Sequence, residues 1–165
     1  MLLWDLEMKD DLARLADIPA GRLLDIAVTE VERTAGIVLP DASGDAEARE
    51  VYERCLAALH QAQAAGGAAM PVLDDELQDE LFEASESSEW GVGPLMAAVD
   101  QCVGEEPATP MDSECAAEVL GLCYQAVMEY QQIDDITPDT ERRYPALLDT
   151  ISTQQSLIRA AVSRP

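Results

Sequence analysis

Val119-Leu120-Gly121-Leu122-Cys123-Tyr124-Gln125-Ala126-Val127-Met128 is a ten-residue run in which Gln125 is the one strongly polar side chain. It has no period-two alternation, and as a helix it is apolar on most sides, so it belongs near the centre of the fold with neighbours all round. Working outward, other segments show apolar residues at three-and-four spacing on one face only. These are Leu24, Ala27, Val28, Val31 and Ala35; Val51, Cys55, Leu59 and Ala62; Leu73, Leu77, Leu81 and Ala84; and Val92, Leu95, Met96, Val99 and Val103. A last stripe runs through Leu148, Ile151, Ile158 and Val162. One wet face each and one central partner predict an all-α, compact helical bundle of six or seven helices, a single domain over residues 1–165. Ile37-Val38-Leu39, between Gly36 and Pro40, is too short to argue for a sheet.

The boundaries are written in capping chemistry. Thr109-Pro110-Met111-Asp112 and Thr137-Pro138-Asp139-Thr140 each place a threonine before a proline, predicting an N-cap with proline in the first helical turn. Ser43-Gly44-Asp45 is expected to open the helix that reaches Ala65, and Gly66-Gly67 to close it. Nearly half the chain, 48%, is apolar, and with only seven aromatic residues the core must be mostly Ala, Leu, Val and Ile; this apolar fraction argues for a folded chain.

Charge narrows the function classes. The chain carries 33 acidic against 10 basic residues, a net charge of -23, and from residue 55 to residue 141 there are 19 acids and no lysine or arginine. Such a surface repels nucleic acid and anionic membranes and attracts cations or basic proteins. No apolar run approaches the roughly 20 residues a membrane helix needs. The N-terminal order, with Trp4, Asp5, Glu7 and Lys9 interrupting Leu2, Leu3 and Leu6, differs from a signal peptide, so a cytoplasmic location is expected.

Nucleophilic and metal chemistry find little to build on. Cys55, Cys102, Cys115 and Cys123 have no C-x-x-C spacing and sit in apolar helical patterns, as buried free thiols would. His60 is the sole histidine and lies five residues from Cys55, on another face of the same helix; it reads as a helix-surface residue. Gly91-Val92-Gly93 lacks the lysine of a phosphate loop. Arg142 and Arg143, beside Tyr144, read as counterions for neighbouring acids.

The acids concentrate on one helix. Asp74, Asp75, Glu76, Asp79, Glu80 and Glu83, followed by Glu86 and Glu89, stack like charges one turn apart, at a cost of a few tenths of a kcal/mol per pair. Trp90 ends this run. It is expected either to staple onto Leu95 or to act with the eight acids as a partner-binding anchor rimmed by charge. Small size, strong negative charge and helical composition together resemble the design of immunity proteins that neutralise nuclease-type toxins and of inhibitors that imitate the phosphate backbone of DNA. That similarity implies a non-enzymatic protein that masks a basic protein surface, with no cofactor.

Two alternatives stand beside it. Glu47-Ala48-Arg49-Glu50 and Glu76-Leu77-Gln78-Asp79 resemble the metal motif of the all-α nucleoside triphosphate pyrophosphatases. The resemblance implies Mg²⁺ held by Glu47, Glu50, Glu76 and Asp79, with phosphates needing Arg49, Arg54, Arg142 or Arg143. Asp74-Asp75 with Asp79, and Asp134-Asp135 with Asp139, are similar to the paired aspartates of helical isoprenoid synthases, but the chain is too short for that fold and Pro138 interrupts the second copy. The other alternative is an accessory or scaffold domain whose acids serve solubility.

Overall fold

The computed structural model describes residues 1–41 and 46–164, so the proposed helix opening at Ser43-Gly44-Asp45 lies outside the described residues. Among the described residues there are eight α-helical segments and no strand. They are α1 (Leu3–Ala13), α2 (Ala20–Val38), α3 (Ala46–Ala64), α4 (Asp75–Ser85), α5 (Val92–Gln101), α6 (Ser113–Tyr130), the single turn α7 (Pro138–Glu141) and α8 (Pro145–Val162). Short 3₁₀ turns follow α1 and α2.

The apolar run from Val119 to Met128 lies at the centre. Helix α6 packs against α1, α2, α5 and α8, and Ala116, Val119, Leu120, Cys123, Tyr124, Ala126 and Val127 are wholly buried. One continuous apolar core extends from Leu3 to Ile158. The stripes read in α2, α3 and α5 all face it, as do Leu77 and Leu81 of α4. Helix α1 escaped the stripe reading because its buried face includes Asp11 beside Leu3 and Met8.

In α8 the buried face is Leu147, Ile151, Gln154 and Ile158, and Leu148 stands outside at 41% exposure with Val162. Ile151 and Ile158 of the expected stripe face the core, whereas Leu148 and Val162 do not, and Leu147 and Gln154 complete the buried face. Gln154 is a polar side chain at a core position, so a search for apolar residues steps around it. Its carboxamide Nε2 donates to Glu30 Oε1 and to the Leu120 carbonyl, both at 3.0 Å, and its Oε1 accepts from Trp4 Nε1 at 2.7 Å. Glu30 is itself fully buried and receives Arg33 through Nε at 3.0 Å and Nη2 at 2.9 Å, while the same Nη2 donates to Thr150 Oγ1 at 2.7 Å. Among the described residues no buried side-chain nitrogen or oxygen lacks a partner. A second buried carboxylate, Glu141, accepts from Tyr124 at 2.7 Å and from the Leu3 amide at 3.0 Å, so α7 closes the start of α1.

The loops that carry α4 and its flanks follow from local chemistry. Helix α3 ends in a pair of glycines at positive φ: Gly67 N–H donates to Ala62 O and Gly66 N–H to Gln63 O, the paired bonds of a Schellman cap. Asp74 caps α4 by accepting from Leu77 N at 2.8 Å. Thr137 caps α7 as expected, with Pro138 in its first turn, but Thr109-Pro110 does not open α6. Asp112 is that cap, accepting from Cys115 N at 2.8 Å, because the Thr109 carbonyl instead takes the Met70 amide at 2.8 Å. That bond and Gly104 N–H to Pro71 O tie the α3–α4 connection to the α5–α6 connection. Gly91, at φ +80°, begins α5, and a Cβ there would lie 2.5 Å from the Ala126 carbonyl oxygen of α6.

Two substitutions test these joints. Gln154→Ala removes three hydrogen bonds and leaves the Trp4 N–H without its partner, so a loss on the order of 3 kcal/mol is expected in urea unfolding. Gly91→Ala combines left-handed strain with a backbone clash and should cost about 2–4 kcal/mol by the same measurement.

Candidate functional site

Helix α4 sits at the edge of the molecule, packed chiefly on α5 and α3. Its eleven residues turn Leu77 and Leu81 inward, which forces the acids between them outward. Asp75, Glu76, Asp79, Glu83 and Glu86 are exposed; Glu80 and Glu89 are partly covered. The acids do not converge on one point. Glu80, Glu83, Glu86 and Glu89 border a groove of ≈ 520 Å³ together with Glu47 of α3, beside Ala48, Val51 and Ala84. Asp75 lies on the other flank, in a cleft of ≈ 660 Å³ with Asp100, Glu105 and Glu106, where Gln78 Nε2 donates to Asp100 Oδ1 at 2.7 Å.

Two of these acids are engaged within the fold. Glu80 has a basic neighbour, since Arg54 reaches across from α3 and donates to its Oε2 at 2.8 Å. Asp74 is engaged as a helix cap while remaining exposed. For Asp75, Asp79, Glu83 and Glu86 there is no ion pair among the described residues.

Trp90 is 57% exposed, while Leu95, further along the chain in α5, is buried. The sequence reading missed its companion. Phe82, the one phenylalanine of the chain, is 61% exposed on α4, one residue beyond the buried Leu81. The signal was available in the helical period: a residue one step past Leu81 and five past Leu77 is rotated away from the face both define.

Glu47 borders the acidic groove, but Glu50, Glu76 and Asp79 do not line it. Among the described residues no three His, Cys, Asp or Glu side chains gather as a metal site requires, and the nearby Arg54 is already engaged by Glu80. The pyrophosphatase-like residues are thus not brought together. His60 is on the surface, with Nε2 2.7 Å from Glu32 Oε1, while Cys55 is buried. All four cysteines are free. Burial pushes the Cys55 and Cys115 thiols up to about 11 and drives Cys102 and Cys123 upward as well. Thiols held protonated in this way are poor nucleophiles at neutral pH.

Arg142 pairs with Asp139 at 3.1 Å and with Glu7 at 3.7 Å, as a counterion should. Arg143 is exposed without an ion pair among the described residues. No helix among them is long and apolar enough to cross a membrane. Comparison with protein-family models, with curated proteins and with solved structures gives no match.

The charges of α4 are expected to be dispensable for folding. Changing Asp75→Asn, Asp79→Asn and Glu83→Gln together should leave the thermal midpoint unchanged or higher, because repulsion between successive turns falls. Glu80→Gln alone should lower stability by less than about 1 kcal/mol, the worth of a partly exposed ion pair. The thiols give a pH signature. Their folded values lie above the ordinary 9.0, so their contribution is complete below pH 9 and is lost as pH rises toward about 11. Urea midpoints measured from pH 8 to 10.5 should fall across that window, and less steeply for Cys55→Ala.

Proposed function

We propose that this chain is a non-enzymatic interaction protein whose acidic face binds and masks a basic surface of another protein, in the manner of immunity proteins or of inhibitors that imitate DNA. The observation that carries this reading is the pair of exposed aromatics, Phe82 and Trp90, set on a helix and loop whose charged side chains are all carboxylates. Each part has a physical role. A one-signed field accelerates encounter with a basic partner and disfavours acidic competitors. Charge alone gives little specificity, and exposed aromatic rings supply the desolvated contacts that hold a complex once formed.

The arrangement favours this over a scaffold role because the two exposed aromatic rings, Phe82 and Trp90, lie in the acidic segment. Phe82 lies between Asp79 and Glu86 along α4, and Trp90 directly follows Glu89. Acids kept for solubility alone would have no reason to surround exposed rings, which oppose solubility.

Affinity capture from a native lysate tests the reading, with Asp75→Asn, Asp79→Asn, Glu80→Gln and Glu83→Gln combined as the control chain. A basic protein should be retained by the natural sequence at low salt, weakened as salt rises and lost with the control. Equal retention by both chains, or retention of no basic protein, would overturn it.

A further inference from the structure

The outward face of α4 carries more than charge. Asp75, Asp79, Phe82 and Glu86 follow one another at spacings of four, three and four residues, which places them in one stripe along the helix. All four are exposed, and the stripe lies opposite the Leu77 and Leu81 face that packs on the core. Helix α4 extends over about 16 Å at 1.5 Å per residue, long enough for three turns of another helix to lie along it.

We propose that this stripe is a docking edge for an amphipathic helix of the partner that presents one apolar residue to Phe82, flanked by lysines or arginines facing Asp75, Asp79 and Glu86. This rests on the masking role proposed above and specifies its contact. A straight stripe of helical period is matched by another helix of the same period, whose side chains interdigitate with it at 8–10 Å between axes. The charge sign selects the occupant. A second copy of this chain would bring carboxylates against carboxylates, and an anionic membrane would be repelled by the same three acids. A basic helix pairs them, and its apolar residue covers the ring that water now surrounds. The flank of the stripe is already fixed: Gln78 is held by Asp100, so it does not compete for the incoming side chains.

Two labelled helical peptides test the contact. One carries leucine between lysines at the complementary spacing; the other is identical except that glutamine replaces the leucine. Their dissociation constants for the whole chain, read by fluorescence anisotropy, should differ about tenfold in favour of leucine, a difference appropriate to one buried apolar side chain. Phe82→Ala should erase that difference, with circular dichroism showing an unchanged helical content. Equal binding of both peptides to the natural chain would overturn the docking edge while leaving the acidic masking role standing, and so would a preference that survives Phe82→Ala. Failure of both peptides to bind at low salt would remove the masking role as well. Self-association that rises with concentration in sedimentation and disappears in Phe82→Ala would assign the stripe to a second copy and overturn the basic-helix proposal.

Discussion

A buried carboxamide with three engaged hydrogen bonds permits few alternative packings, and Gln154 is placed where its partners come from three other helices. It reaches Glu30 on α2, Leu120 on α6 and Trp4 on α1, and Glu30 is in turn clamped by Arg33. Sliding α8 by one turn would break all three bonds and leave the Trp4 N–H without its partner. Each such loss costs on the order of 1–3 kcal/mol, more where a charge is involved. Apolar packing alone would tolerate small shifts of register, whereas this network makes one arrangement of α1, α2, α6 and α8 much lower in free energy than its neighbours. The Asp11–Arg159 pair, with two bonds of 2.9 Å, repeats the logic between α1 and α8.

What the sequence revealed follows from this division between apolar and polar contacts. Stripes made wholly of apolar residues, in α2, α3 and α5, were legible because period and chemistry agree. The central position of α6 was legible because a helix with one strongly polar residue in ten has no face for water. Gln154 in α8 and Asp11 in α1 hid their faces, since a buried polar group declares itself only through partners distant in the sequence. Thr109-Pro110 misled for a related reason. Its local pattern suits a cap, but its carbonyl is engaged by the Met70 amide, and Asp112 three residues later takes the role.

The acidic helix was legible in composition and only partly in geometry. Counting charges located α4, while the division of its acids between a groove toward α3 and a cleft toward α5 needed the fold. Arg54 and Glu80 are 26 residues apart and carry no local sign of pairing. Phe82 was within reach of the sequence because the helical period alone puts it outside; attention to the apolar stripe concealed it.

The placement of the arginines determines where the negative charge can act. Arg33 and Arg159 serve buried acids, Arg22 donates to the Ala161 and Arg164 carbonyls near the end of α8, and Arg49 donates to the Leu39 carbonyl at 2.6 Å. These guanidinium groups are committed to holding helices together, so they do little to offset the field over α4 and the loop that follows it. Arg54 is the exception at that edge, and it neutralises one carboxylate. The α4 edge therefore retains repulsion between its carboxylates that lowers stability slightly. A surface with that balance gains free energy whenever a cation or a basic side chain approaches, and the exposed ring of Phe82 determines which approach also removes apolar area from water.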